Sequence, residues 1–321
     1  MKKHYITIVI LFLMFTAETF AQQITRRSQF AFNPYMVNPA VAGTMNQIPI
    51  FLSYRNQWAG FKGAPVTMSA SAHMQGPKNS GFGAIIMHDD TGGAIAETGI
   101  EGTGAYHIDL NNYDAISFGL SLTASQYKFD NSKLVVYDQN DEALNNMQAE
   151  SHLNVDANFG MMIYGEDYYF GVSVPQLAQT KLKLESPFSS ENRNMRHFQF
   201  MGSYKYYATE DIDIQPSAML KFTPVTPVQI DINIKVGYKE MFWAGITARP
   251  KDAIALNVGG FYEYFFLGYA FDLTTSPAKV MSPFSHEITL GYVIPGKRGK
   301  YLARGALGPK VLNRNRIVKS K

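Results

Sequence analysis

Residues 228–237, VQIDINIKVG, decide the fold. Val228, Ile230, Ile232, Ile234 and Val236 alternate with Gln229, Asp231, Asn233, Lys235 and Gly237. Successive side chains of a strand point to opposite faces, so this run has one apolar face and one polar face. A helix would bring Asp231 and Lys235 onto the same side as one edge of the apolar set. The stretch is therefore read as a strand lying between two unlike media.

The same period-two signal recurs outward from it. Met68, Ala70, Ala72 and Met74 alternate with Thr67, Ser69, Ser71 and His73. Ile116, Phe118, Leu120 and Leu122 alternate with Ser117, Gly119, Ser121 and Thr123. Placing turns between such runs gives about fourteen strands of roughly ten residues, the length a tilted membrane strand needs. The spans are 48–58, 65–75, 80–89, 95–109, 113–128, 151–164, 167–174, 196–208, 212–222, 227–238, 240–249, 252–262, 264–274 and 284–294. An even count lets an antiparallel sheet close on itself and lose its edges. Loop length sorts by parity as well. Every second connection is short: 75–80, 111–113, 165–167, 209–211, 239–240 and 263–264. The two longest, 129–150 and 175–195, both fall in the other class, and so does 275–283. Short turns on one rim and long loops on the other are the pattern of an outer-membrane barrel. The expected fold is all-β: an antiparallel transmembrane β-barrel of about 14 strands with an N-terminal plug segment.

Composition agrees. Charged residues make up 17 % of the chain, below the ~25 % usual in soluble domains. Aromatics reach 13 %, led by 22 Phe and 19 Tyr. There is no Cys, which excludes disulfides and thiolate metal sites. Aromatic groups at strand ends, Tyr168-Tyr169-Phe170, Tyr204-Tyr206-Tyr207, Phe242-Trp243 and Phe261-Tyr262-Tyr264-Phe265-Phe266, read as interfacial girdles.

Residues 1–21 read as a secretory signal peptide cleaved after Ala21. Lys2 and Lys3 form its basic start, Ile6 to Phe15 its apolar run, and Thr19-Phe20-Ala21 its cleavage site. Residues 22–47 are the plug segment, 48–294 the barrel and 295–321 a basic periplasmic tail. Residues 297–321 hold nine Lys/Arg and no acid. With these and the leader's net +1 removed, the formal charge of +3 becomes −7 for residues 22–296. Such a tail suits acidic periplasmic partners or anionic headgroups, or is simply a solvated end.

Within the plug segment, Asn33-Pro34 and Asn38-Pro39 remove backbone donors and push the preceding residues toward extended conformations. Residues 28–43 should be irregular or briefly helical. Irregular backbone at membrane depth is tolerated only inside protein or a watery cavity, where Asn side chains can satisfy exposed groups. A flexible periplasmic lead-in is the alternative.

The spacing Gln29, Asn33-Pro34-Tyr35, Asn38-Pro39-Ala40, Ala42-Gly43, Tyr54-Arg55, Gln57-Trp58, Gly60-Phe61 and Gly63-Ala64-Pro65 resembles the PorP/SprF family of Bacteroidetes. Its members are outer-membrane proteins associated with type IX secretion and gliding motility. Val41 departs from the aromatic expected there. The resemblance implies a non-enzymatic barrel in the outer membrane of a Gram-negative bacterium, supporting secretion or surface attachment of a large adhesin-like substrate. The implied partners are outer-membrane lipid, the secreted substrate's C-terminal domain, and a periplasmic cell-wall-binding lipoprotein or the type IX machinery. The alternative is a channel for a hydrophobic or small solute, like the FadL fatty-acid transporters, whose hatch also carries Asn-Pro-Ala.

The candidate partner-binding or plug residues are Asn33, Pro34, Asn38, Pro39, Tyr54, Arg55, Gln57, Trp58, Gly60 and Phe61. Tyr54, Arg55 and Trp58 are of the types that dominate docking surfaces. In the structural reading, Trp58 and Phe61 anchor the membrane interface while Arg55 faces the lumen and holds the plug. His73 with Ser71, and His107 with Asp109, share strand faces but lack a third orienting group, so no catalytic residue is assigned. Asp89, Asp90 and Glu97 flank a hairpin turn without calcium-loop spacing. No metal, cofactor or nucleic acid is expected.

Overall fold

The structure, a computed structural model, describes residues 30–93, 95–111, 113–130, 150–180, 194–224 and 226–295. The strands in chain order are β1 (Ile48–Asn56), β2 (Val66–Gln75), β3 (Ser80–Asp90), β4 (Ile95–Asp109), β5 (Ala115–Phe129), β6 (Glu150–Tyr164), β7 (Tyr168–Val174) and β8 (Phe198–Tyr204). They continue with β9 (Tyr206–Tyr207), β10 (Ile212–Thr223), β11 (Thr226–Tyr238), β12 (Phe242–Arg249), β13 (Ala253–Tyr262), β14 (Phe265–Thr274) and β15 (Phe284–Ile294). β8 and β9 are two pieces of one stave, and both pair with β10. The break is Lys205, whose N–H turns to the Asp167 carbonyl. Every pairing is antiparallel, and β15 returns to β1 with Ile48 opposite Ile294 and Asn56 opposite His286. The result is a closed barrel of 14 staves. Closure pairs every strand edge, which lipid requires because it offers no hydrogen bonds to an unpaired backbone.

Side-chain polarity is inverted relative to a water-soluble protein. Along β11, Ile232 is 48 % exposed on the outer surface while Asp231, one residue away, is 4 % exposed inside. Among the described residues no helix is long and apolar enough to cross a membrane. The membrane is met by strands.

The two rims differ. Among the described residues, the strand connections at one rim are the short turns 76–79, 110–114, 165–167, 208–211, 239–241 and 263–264. At the other rim β5 ends and β6 begins, and β7 ends and β8 begins; the intervals between them, 130–149 and 175–197, are the two longest between consecutive strands. Turn chemistry trims the expected spans. β1 stops at Asn56, not residue 58, because the Gln57 N–H bonds the Pro65 carbonyl and Trp58 turns to φ +54°. β12 starts at Phe242 because Lys239 and Glu240 both take left-handed backbone, the geometry of a tight hairpin turn.

The aromatic girdles need correcting. Phe170, Tyr204, Tyr206, Tyr262 and Phe265 do point outward, but Tyr169, Phe261 and Phe266 are buried inside the barrel. Trp243 packs on the cluster that contains Phe261 and Phe266. Adjacent aromatics on a continuous strand face opposite ways, so part of three of the four expected girdles lines the lumen, while Tyr204, Tyr206 and Tyr207 are all exposed. The expected signal peptide over 1–21, residues 22–29, most of both long loops and the basic stretch beyond Pro295 lie outside the described residues.

Candidate functional site: the lumen and its N-terminal segment

Residues 30–47 precede β1 and pack against the inner wall. Two short 3-10 turns, Pro34–Met36 and Pro39–Val41, each begin with proline, whose fixed φ and missing N–H suit that position. Asn38 organises the second. Its Oδ1 accepts from the Ala40 N–H at 2.9 Å, and its Nδ2 donates to the carbonyls of Met161 on β6 and Val172 on β7, both at 3.3 Å. The side chain is fully buried, so each of these bonds replaces one to water.

The wall reaches back from β2, β4, β5 and β7. Asn33 Nδ2 donates to Ser71 Oγ at 2.9 Å, and Tyr35 donates its hydroxyl to Thr103 at 2.8 Å. Ser117 and Ser173 donate to the carbonyls of Ala40 and Val37, each at 2.8 Å. His107 Nε2 lies 2.9 Å from the Ala42 carbonyl. A carbonyl only accepts, so Nε2 carries a proton. The Gly43 N–H donates to His73 Nδ1 at 3.3 Å. Burial raises the pKa of the Tyr35 hydroxyl above the ordinary phenol range, with the Thr103 bond acting against it. The wall is also cut to shape. A Cβ on Gly119 would collide with Pro39, and one on Gly160 with Asn38 and Pro39.

The opposite side holds the segment by stacking. The Phe32 ring lies 4.3 Å from Phe266 at 14° and 4.8 Å from Trp243 at 21°. Phe51 meets it edge-on and Lys235 Nζ sits 5.3 Å from its centroid. The segment thus touches β2–β7 on one side and β1 and β11–β14 on the other. These contacts lie in the half of the lumen nearer the short-turn rim, since Phe51, His107, Ser117, Tyr164, Trp243 and Phe266 are all near that end of their strands. Phe32 was not among the sequence candidates. The available signal was the aromatic series Phe30, Phe32 and Tyr35 in a stretch otherwise expected to meet water.

The other candidates lie elsewhere. Arg55 faces the lumen, pairing with Asp272 at 2.8 Å and Glu287 at 3.2 Å. Asp272 also holds Arg249 at 2.9 Å. These pairs tie β1, β12, β14 and β15 together. Tyr54 lies on the outer face and is exposed. Gln57, Trp58, Gly60 and Phe61 form the turn after β1, at the long-loop rim. Gly60 takes φ +91° there, the Trp58 N–H donates to Ser285 Oγ at 3.0 Å, and Phe61 is exposed. These four lie at the opposite rim from the site where Asn33, Pro34, Asn38 and Pro39 are seated.

Between the segment and the long-loop rim lies a cavity of about 470 Å³. Tyr35, Met36 and Pro39 form its floor, and its mainly apolar walls include Ile85, Met87 and Met219. Among the described residues no group of three or more His, Asp or Glu is placed to hold a metal.

The chain is similar to several solved structures. The toluene transporter TbuX of Ralstonia pickettii shares 8 % identity at a TM-score of 0.49, with 82 % of this chain and 93 % of that one covered. A FadL homologue of Pseudomonas aeruginosa shares 9 % at 0.46, with 87 % and 96 % covered. The KdgM porin shares 10 % at 0.39, with 76 % and 98 % covered. No curated protein matches the chain in sequence. The family described as "Type IX secretion system membrane protein PorP/SprF" matches residues 19–292, and this non-enzymatic outer-membrane barrel belongs to it.

Proposed function

We propose that residues 30–47 are a plug and that the barrel takes up a small, largely apolar solute from outside, as a FadL-like outer-membrane channel does. The cavity above the segment supports this reading. Its volume of about 470 Å³ falls in the range of small-molecule sites, which are concave and mostly apolar. Short turns are periplasmic in such barrels, so the cavity opens outward and the segment separates it from the periplasm. Passage then requires the segment to shift. The test is binding of 2-phenylethanol to the barrel in lipid nanodiscs, by titration calorimetry. Saturable binding, weakened at least tenfold or so by Met36→Trp, which fills the floor, is expected. Absence of saturable binding overturns the reading.

Family membership favours a second reading, service to type IX secretion. In this reading the loops 129–150 and 175–195 and the rim near Tyr54, Gln57, Trp58, Gly60 and Phe61 meet the C-terminal domain of an adhesin-like substrate. The basic tail of residues 295–321 and the short turns meet a periplasmic cell-wall-binding lipoprotein or the secretion machinery. The layout is a signal peptide over 1–21 cleaved after Ala21, the plug segment over 22–47 and the barrel over 48–294. Deleting the gene should strip the adhesin from the surface of intact cells. Unchanged surface display contradicts this reading.

A further inference from the structure

We infer that a solute leaves the cavity along the inner face of β15, β1 and β2, and that Met36 is the side chain that opens this way. The inference rests on the first reading above and names the route which that reading needs. A second chamber, of about 30 Å³, lies beside the large one. At that size it holds little more than water. Phe30 and Met36 line both chambers, so these two side chains form the partition. Phe30 is buried, whereas Met36 is only partly so.

The wall of the small chamber is a row of short hydroxyl side chains. Ser53 on β1 stands opposite Thr289 on β15 and opposite Ser69 on β2. Thr67 and Ser71 extend the row along β2. Ser53, Thr67 and Ser69 point inward yet are only partly buried. Small polar residues on other walls are covered: Ser121 on β5 and Thr247 on β12 are fully buried, and Asn257 on β13 is 3 % exposed. The lumen is thus least filled against β1 and β2.

The two turns of the segment differ in how hard they are to move. The second, Pro39–Val41, is tied by Asn38 to β6 and β7, by Ser117 to β5 and, just beyond it, by His107 to Ala42. Moving it breaks all of these bonds. In the first turn, Met36 has an unbranched thioether side chain that changes rotamer readily. Asn33 makes no side-chain cap on that turn. It donates instead to Ser71, at the end of the chamber nearer the short-turn rim. Swinging Met36 aside joins the two chambers without breaking a hydrogen bond, and releasing Asn33 from Ser71 breaks one. This displacement costs less than any that moves the second turn.

Single introduced thiols report the route, since the chain has none of its own. Planar-bilayer conductance is measured on Met36→Ala alone and on Met36→Ala carrying Ser69→Cys, Ser121→Cys or Thr247→Cys. Each is read before and after a methanethiosulfonate that adds a trimethylammonium group to an accessible thiol. Met36→Ala should conduct more than wild type. The reagent should remove that added conductance in the Ser69→Cys protein and leave it in the other two. Only proteins that keep the heat-modifiable gel mobility of a folded barrel are compared, and Ser53→Cys replaces Ser69→Cys if the latter fails that check. No added conductance in Met36→Ala overturns the inference. So does a block at Ser121→Cys or Thr247→Cys, or the lack of one at Ser69→Cys. Binding of 2-phenylethanol to the wild-type barrel separates the two levels. If the alcohol binds, each of those results removes the route and leaves the solute reading standing. If it does not bind, the solute reading falls and takes the route with it.

Discussion

The two sides of the lumen grip the N-terminal segment by different physics. The β2–β7 side offers hydrogen bonds and relief: Asn38 spans two wall carbonyls, Ser117 and Ser173 bond segment carbonyls, and Gly119 and Gly160 leave room for its backbone. The β12–β14 side offers aromatic faces stacked on Phe32. Hydrogen bonds are directional and worth little net, whereas aromatic burial is worth more and tolerates small slips. The polar side therefore sets where the segment sits, and the aromatic side supplies most of the strength with which it stays.

This contrast can be broken one side at a time. Phe32→Ala should have the largest effect, loosening the segment by about 3 kcal/mol or more while leaving its register unchanged. Protease cleavage within residues 30–47 in nanodiscs should quicken strongly. Gly160→Val should cost about 1–3 kcal/mol through overpacking against Asn38 and Pro39, and unlike the first variant it should shift the segment. Planar-bilayer conductance should rise above the wild-type baseline. Asn38→Ala leaves the Ala40 N–H and two wall carbonyls short of a partner and should cost about 1–2 kcal/mol. Tyr35→Phe should be mildest, about 1 kcal/mol, and carries a pH signature. Burial raises the Tyr35 pKa in the seated state. The released state therefore loses its proton first as pH climbs past about 10, and seating weakens in that direction. Cleavage of the wild-type segment should quicken above that pH, and Tyr35→Phe should remove the dependence.

Much of the barrel was legible because its signal is local. Alternation in β11 and loop length by parity need only neighbouring residues, and the two spans 95–109 and 284–294 match the observed strands residue for residue. Alternation says less when both phases are apolar. Phe265 and Phe266, or Tyr168 and Tyr169, can each be the inward one, and that is where the girdle reading went astray. The site was legible only in part. Asn33-Pro34 and Asn38-Pro39 mark an irregular backbone in need of partners. The partners themselves are far along the chain, such as Val172 for Asn38 and Phe266 for Phe32. No local pattern announces such contacts. Arg55 was readable as lumenal because a charge in a membrane strand must face inward. Nothing in the sequence joined Tyr54, Trp58 and Phe61 to the segment, and they lie on the outer face or at the far rim.

The chain contains no cysteine, so an engineered pair reports cleanly. Asn33→Cys with Ser71→Cys replaces side chains whose polar atoms lie 2.9 Å apart. Ser53→Cys with Thr289→Cys, at 3.2 Å across β1 and β15, serves as the control for barrel closure. Under mild oxidation in intact outer membranes, both pairs should cross-link. Formation of the Ser53–Thr289 link without the Asn33–Ser71 link would show a closed barrel with the N-terminal segment outside it, contradicting the account of the lumen given above.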